Sequence, residues 1–353
     1  MKKILSLFLC AALVALTLAA CDTAPKQTVR VLSFGEYIAD GKDGLLDVLE
    51  EFKKDTGINY TYEPIDNNEA MYAKLKTAAS NYDVIVASDY LIAQLIDEEM
   101  VEKLDYDKIP NFKHIDEQYR NAAFDPTQAY SVPYTAGLVG LIYNTKFVKT
   151  APTSWTALWD TQYNVDGKGK NLMIGNPRDA FAIAEAVLGY SYNTSDHEEL
   201  RAAAAELIKQ APARYGFVND EIFQLLEGGE VAMGAYYSGD FLTMHEKNPN
   251  LAFVYPKEGV NSFIDAFCIL KGAQNRDAAH AYINYMNEPE IALENAEYLG
   301  YVSPHKAVFT NPDYTWYENE YLYPTKMPKT EAFNMQSKET RSLMNALFDE
   351  VRK

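Results

Sequence analysis

Apolar positions in the first third of the chain follow two spacings, one typical of buried strands and one typical of amphipathic helices. Residues 29–34 form a short apolar run, and residues 45–52 carry apolar side chains at helical spacing before Gly57, a typical helix C-cap. The same alternation predicts further strands at 58–62 and 82–87, and further helices at 69–79 and 91–100. Strands separated by single helices predict a mostly parallel sheet covered on both faces.

The pattern continues beyond residue 130 without an internal repeat or a flexible linker. Further strands are predicted at 138–143 and 231–236, near 254 and 264, and at 267–270. Further helices are predicted at 180–189, 198–210, 278–286, 289–298 and 341–352. One more helix is predicted to follow the strand at 231–236 and to end near residue 245. A chain of 353 residues exceeds one comfortable core, so we expect two α/β units joined by crossing segments around 134–137 and 263–266.

The first residues predict export. Lys2 and Lys3 precede an apolar run at 4–18, which is shorter than the ~20 residues of a membrane-spanning helix. The run ends in Leu-Ala-Ala-Cys21, which resembles a bacterial lipobox. We therefore expect a signal peptide at 1–20, lipidation at Cys21 and a tether at 21–27, so that lipid alone anchors the protein to the membrane. An ordinary signal peptide with a chance cysteine is the alternative.

The net charge and the cysteine content limit which ligands, disulfides and metal sites the chain can have. The formal net charge is −18, which disfavours nucleic acid and suits a cationic ligand. Cys268 remains alone once Cys10 and Cys21 are assigned to the leader and the lipid, so neither a disulfide nor a zinc site is predicted. Its apolar neighbours predict a buried packing role.

No motif for catalysis stands out. The five histidines lack metal-site spacing, and the chain has no nucleophile elbow, P-loop or dinucleotide fingerprint. We therefore predict no cofactor, no metal and no catalytic residue. An exported enzyme with a pair of carboxylates stays open as an alternative, because acidic residues are plentiful.

Aromatic residues recur where predicted strands end. They are Phe34, Tyr37, Tyr90, Tyr236, Tyr237, Phe263 and Tyr301. Ligands of open α/β units bind beyond the carboxyl ends of strands, where aromatic walls hold an alkyl chain and attract a cation. Asp265 follows Phe263 by two residues on the same strand face, and we expect it to supply the countercharge.

Several short motifs carry a family resemblance. They include Phe-Gly-Glu-Tyr at 34–37, Asn-Glu-Ala-Met-Tyr-Ala-Lys-Leu-Lys at 68–76, Ser-Val-Pro-Tyr at 131–134 and Leu-Gly-Tyr at 299–301. With these motifs the chain resembles the spermidine/putrescine-binding proteins of bacterial ABC importers along nearly its whole mature length. The resemblance implies a monomeric, two-lobed α/β periplasmic-binding-protein fold of the type II kind, with mixed, mostly parallel sheets and a polyamine in the interdomain cleft. It also implies delivery of the amine to a membrane permease.

The resemblance also implies the bounds of the two lobes and the individual residues of the site. The amino-terminal lobe is expected at 28–136 with 266–308, and the carboxyl-terminal lobe at 137–265 with 309–353. The implied ligand-binding residues are Phe34, Tyr37, Ser88, Tyr90, Asn176, Asp179, Tyr237, Phe263, Asp265, Tyr301 and, more loosely aligned, Asn334 or Gln336. Three tryptophans of spermidine-binding relatives are smaller rings here, and one aspartate is Asn176. Despite these changes the resemblance still implies a polyamine ligand, but it does not give the length of the amine.

A binding protein of similar architecture for another solute, such as ferric iron, is the second interpretation. Tyr236 and Tyr237 are adjacent, as the phenolate ligands of ferric-binding relatives are, and Fe(III) accepts such oxygen ligands. The histidine and carboxylate ligands expected at the first strands are missing, because Ser33, Phe34 and Gly35 stand there.

Overall fold

The computed structural model describes residues 27–42, 44–164 and 170–353. The predicted signal peptide, Cys21 and nearly all of the tether lie outside these residues. The strands are β1 (Thr28–Phe34), β2 (Asn59–Ile65), β3 (Val84–Ser88), β4 (Ser131–Asn144), β5 (Asn171–Ile174), β6 (Arg214–Val218), β7 (Met233–Tyr237), β8 (Leu251–Val254), β9 (Val260–Ile269) and β10 (Thr330–Ala332). The helices are α1 (Val48–Thr56), α2 (Asn68–Ala78), α3 (Asp89–Asp97), α4 (Pro177–Leu188), α5 (His197–Lys209), α6 (Glu221–Glu227), α7 (Ser238–Lys247), α8 (Arg276–Met286), α9 (Pro289–Leu299), α10 (Lys306–Phe309) and α11 (Lys338–Val351).

The strands form one continuous mixed sheet in the order β2-β1-β3-β9-β4-β7-β5-β6. In its first half, β1 is parallel to both β2 and β3. In its second half, β5 is parallel to both β6 and β7. The predicted α/β fold is confirmed, and among the named strands antiparallel pairing is confined to pairs that include β4 or β9.

Strands β4 and β9 join the two halves. The end of β9 lies between β3 and the start of β4 and pairs with both, whereas the end of β4 pairs with β7 and β8. Their mutual pairing shifts register between Pro133 and Thr135, which bends the pair at its middle. The crossing segments predicted at 134–137 and 263–266 lie at this bend. The exact lobe boundaries stay a prediction.

Each half of the sheet has its own apolar core. Phe52, Phe267 and Tyr282 are buried in the first half, and Trp155 and Phe181 in the second. Cys268 is fully buried, as its apolar neighbours predict. Gly57 ends α1 with φ of 71°, a left-handed conformation that glycine adopts without strain, so the predicted C-cap is also confirmed.

Helices begin immediately after strands at the edge where the two halves meet. Helix α3 starts at Asp89, one residue after β3, and α7 starts at Ser238, one residue after β7. Helix α4 starts at Pro177 behind the N-cap Asn176. Because these junctions are short, they fix the positions of the side chains that follow each strand. Within the described part of the chain, no helix has both the length and the apolar character needed to cross a bilayer.

Candidate functional site

Asp265 lies at the centre of the site because β9 crosses between the two halves of the sheet. It pairs with Ser88 of β3 on one side and with Thr135 of β4 on the other. Its side chain is 3% exposed, and the Tyr37 hydroxyl donates a hydrogen bond to Oδ2. Its other oxygen, Oδ1, is buried and has no hydrogen-bond partner among the described residues. Burial raises the pKa of Asp265 to about 6, against the opposing effect of the Ser88 and Tyr37 hydroxyls.

Aromatic rings extend from Asp265 toward both halves of the sheet. Tyr37 packs edge-on against Phe34, with ring centres 5.2 Å apart, and lies 6.4 Å from Tyr301. Phe263 lies 6.0 Å from Tyr301 and 5.5 Å from Tyr237. These five predicted residues therefore form one connected wall, as the strand-end pattern indicates.

Two glycines allow the rings to lie this close to the backbone. A Cβ atom added at Gly137 would lie 2.5 Å from the Phe263 ring, and one added at Gly239 would lie 2.8 Å from Tyr301. Both distances are shorter than van der Waals contact allows. A side chain at either position would therefore displace part of the wall.

The second half of the sheet contributes Asp179. It is 4% exposed, and the Tyr237 hydroxyl donates to its Oδ2 across 3.2 Å. Burial raises the pKa of Asp179 to about 7. Asp179 and Asp265 thus each accept a hydrogen bond from a wall tyrosine.

Two further carboxyl groups belong to this region, and the sequence reasoning missed both. Asp240 accepts a hydrogen bond of 2.7 Å from the Tyr301 hydroxyl, and burial raises its pKa to about 7. Asp89 is 4% exposed, accepts from the backbone N–H of Tyr90, and has a pKa that burial raises to about 8. Each follows a predicted site residue by one to three positions. That adjacency is the signal that could have found them.

Arg178 is the third residue that sequence reasoning missed. Its guanidinium carbon lies 5.4 Å from the centre of the Tyr90 ring, although the side chain starts from α4 in the other half of the sheet. The Tyr90 hydroxyl donates to Glu69. Tyr90 is thus held between residues of both halves.

Three predicted site residues remain, Asn176, Asn334 and Gln336, and each has a different environment. The Asn176 side chain caps α4 by accepting a hydrogen bond of 2.8 Å from the Arg178 backbone N–H. Asn334 is exposed, and its backbone carbonyl accepts from Arg178. Gln336 is buried, and its amide nitrogen and oxygen both lack hydrogen-bond partners in the described part of the chain. Of these two loosely aligned residues, Gln336 is thus the buried one with unpaired polar atoms.

The adjacent tyrosines point to separate carboxylates. Tyr236 donates to Asp220 across 3.1 Å, whereas Tyr237 donates to Asp179. Burial raises the pKa of both phenols. Each phenol is therefore occupied by a carboxyl group of its own.

The electrostatics favour an organic cation. A buried carboxyl group with a raised pKa gains from a cation that restores its charged form. Rings beside it hold alkyl carbons and attract the same cation through their faces. The site supplies both components at the crossing strands, next to both halves of the sheet.

Comparisons with known proteins agree with this chemistry. Residues 47–321 match the model of the family described as bacterial extracellular solute-binding protein. The curated "Spermidine/putrescine-binding periplasmic protein" of Salmonella typhimurium is 35% identical over 310 residues, covering 87% of this chain and 86% of the relative.

Solved structures give the same result. A "putative spermidine/putrescine ABC transporter" from Listeria monocytogenes superposes with a TM-score of 0.85 at 33% identity, covering 92% of this chain and 99% of its own. The spermidine/putrescine ABC transporter substrate-binding protein PotD from Streptococcus pneumoniae superposes with a TM-score of 0.78 at 34% identity, covering 93% of this chain and 100% of its own. The chain belongs to the bacterial extracellular solute-binding protein family, so it is a binding protein and not an enzyme.

Proposed function

We propose that this protein captures a polyamine in the cleft around Asp265 and delivers it to the permease of an ABC importer. The observation that carries the proposal is the Asp265 carboxylate, which is buried at the crossing strands and hydrogen-bonded through one oxygen to Tyr37. Its second oxygen, Oδ1, is free to accept from an ammonium group. The names of the relatives support the same class of ligand.

The predicted ligand-binding residues have complementary tasks in this proposal. Asp265 and Asp179 pair with ammonium groups, because an unpaired buried ion costs several kcal/mol. Phe34, Tyr37 and Tyr301, with Tyr237 and Phe263, line the methylene chain and add ~0.5–2 kcal/mol for each cation–π contact. Ser88, Tyr90 and Gln336 are the polar groups that complete the proposed site.

Capture by closure follows from the position of the site. Each half of the sheet supplies only part of the walls, and the predicted lobes are 28–136 with 266–308 and 137–265 with 309–353. Closing them around the amine removes water from both ammonium groups at once. The closed, loaded form is the one that we expect the permease to recognise.

The cellular setting belongs to the same proposal. The leader at 1–20 directs export, and diacylglycerol on Cys21 holds the monomeric protein at the outer face of the membrane.

Amine length is the open part of the function. Asn176 stands where relatives that bind spermidine have an aspartate, so two predicted carboxylate partners remain instead of three. Two carboxylates suit a dication, and we expect putrescine to bind at least as well as spermidine.

Calorimetric titration tests the function. Putrescine and spermidine are added separately to protein that has been unfolded, dialysed and refolded to remove bound amine. Saturable one-to-one binding of at least one amine is expected, with arginine and Fe(III) citrate as negative controls. Heat from neither amine, with Fe(III) binding or with no binding at all, would overturn the proposal.

A further inference from the structure

Helix α2 begins with Asn68, the first residue of the motif at 68–76, and this residue is bonded to the end of β3. Asn68 is 8% exposed. Its Nδ2 donates a hydrogen bond of 2.9 Å to the Ser88 hydroxyl oxygen, and its Oδ1 accepts one of 3.1 Å from the Ser88 backbone N–H. One buried amide thus holds both the backbone and the side chain of Ser88, a residue of the proposed site.

The backbone of Ser88 fixes the direction of both hydrogen bonds. A backbone N–H can only donate, so the Asn68 atom that faces it must be the amide oxygen. The amide NH₂ group then faces Ser88 Oγ, which must accept, because an NH₂ group only donates. The single hydrogen of the Ser88 hydroxyl is therefore left for another acceptor.

Asp265 is the acceptor next to this hydroxyl. Ser88 and Asp265 are directly paired on the antiparallel strands β3 and β9, so their side chains stand on the same face with Cβ atoms ~4.5–5.5 Å apart. A serine before a helix commonly accepts from the first helical N–H groups, but the Ser88 side chain makes no such bond to α3. Burial raises the pKa of Asp265, and the Ser88 hydroxyl acts in the opposite direction.

We propose that Asn68 is a positioning residue of the amine site, which holds the Ser88 hydroxyl as a hydrogen-bond donor toward the Asp265 carboxylate. The inference rests on the proposed function. A carboxylate that accepts this bond stays ionised to a more acidic pH, and the ionised form is the one that pairs with an ammonium group. Without Asn68, Ser88 Oγ is free to cap α3, and Asp265 takes up a proton at a higher pH.

The expected effect is a loss of affinity that is confined to acid pH. Asn68→Ala should raise the pKa of Asp265 by about one unit, because the carboxylate loses a charge-assisted hydrogen bond. At pH 6 the ionised fraction of Asp265 would then fall from about half to about a tenth, and putrescine should bind about five-fold more weakly than to the wild type. At pH 8.5 Asp265 is ionised in both proteins, so the two affinities should agree within about two-fold.

Other ionisable groups surround Asp265 and the aromatic wall. They are Tyr37 after β1, Asp89 at the start of α3, Tyr301 after α9 and, bonded to wall tyrosines, Asp179 of α4 and Asp240 of α7. Both of these phenols stay protonated, because burial raises their pKa well above the ordinary value. The three carboxyl groups are present in the variant and in the wild type alike, so their titration cancels in the ratio of the two affinities.

Two comparisons separate this role from a purely structural one. If Asn68 acts through Ser88, then Ser88→Ala should show the same acid-confined loss, and Asn68→Ala should add no further acid-confined loss to it. Asn67→Ala is the matched control, because Asn67 caps the same helix by accepting from the Ala70 N–H across 2.8 Å. The control should lower the melting temperature and leave the ratio of the affinities at pH 6 and pH 8.5 as in the wild type.

Calorimetric titration of each folded variant with putrescine at the two pH values decides the matter. Equal losses at pH 6 and pH 8.5 in Asn68→Ala, or a further acid-confined loss in the double variant, would overturn the inference and leave the proposed function standing. Ser88→Ala keeps the inference testable if Asn68→Ala does not fold, because an equal loss at both pH values there would also overturn it. A wild type that binds neither putrescine nor spermidine would overturn both the inference and the proposed function.

Discussion

Replacing Asp265 by asparagine removes one charge from the centre of the proposed site while keeping its shape. The side chain is 3% exposed and lies between Ser88 and Thr135 in adjacent strands. The amide of the Asp265→Asn variant would still offer an oxygen to the Tyr37 hydroxyl, so the wall of aromatic rings should keep its geometry. The variant therefore tests the charge of Asp265 and leaves its packing in place.

The size of the effect follows from burial. With a pKa of about 6, Asp265 is mostly ionised at pH 7.5, and little free energy is needed to charge it before the amine binds. Two unit charges at ~4 Å attract by ~4 kcal/mol at an effective dielectric constant of ~20. Truncating one partner of a buried charge pair costs ~2–5 kcal/mol. Binding should therefore weaken by roughly thirty-fold to several-thousand-fold.

Calorimetry with putrescine measures the loss, and thermal unfolding checks the fold. Asp55→Asn is the matched control, because Asp55 also accepts a hydrogen bond from a tyrosine, Tyr285 at 3.0 Å, but is exposed beside the end of α1. Its affinity should equal that of the wild type. A change of less than three-fold in folded Asp265→Asn would remove Asp265 from the site and refute the reasoning.

Four further results are expected. Cys21→Ser should leave a longer precursor without the diacylglycerol mass, and normal maturation of that variant would contradict the lipobox. Saturating putrescine should reduce the radius of gyration in small-angle scattering, and an unchanged profile would count against closure. Asn176→Asp should shift preference toward spermidine by ~1 kcal/mol or more in competitive titration, because a charge-assisted contact replaces a neutral one. Putrescine affinity should fall by about ten-fold or more from pH 8 to pH 6, since the pKa values of Asp265 and Asp179, about 6 and about 7, make both groups take up protons that neutralise them; a flat profile would argue against ionised partners.

The local pattern of apolar residues was sufficient to predict the longer strands and helices. The strands that became β1 to β3 and the helices between them are marked by strong apolar periodicity, and their parallel pairing follows from the strand–helix alternation. Strands β5 and β10 were missed because they are only four and three residues long, which is too short to display a period. Helix α6, with seven residues, was missed for the same reason.

The site was predicted in part. Strand ends and the family resemblance located the Asp265 region, since residues that follow neighbouring strands meet at one edge of a sheet. Neither signal tells which charged neighbour is buried, so Asp89, Asp240 and Arg178 went unnoticed although each lies close to a predicted residue. The Asn-Pro pair at 176–177 is also a helix-start signal, and the structure uses the Asn176 side chain as the cap of α4.

Native mass spectrometry of the protein as purified tests polyamine capture most directly. A buried diamine or triamine held by Asp265 and Asp179 should survive gentle ionisation as a one-to-one adduct whose mass matches putrescine or spermidine. The adduct should disappear after unfolding and dialysis, return when the amine is added back, and be weak or missing in Asp265→Asn. A protein that carries no amine as purified and forms no adduct when either amine is added would contradict the account.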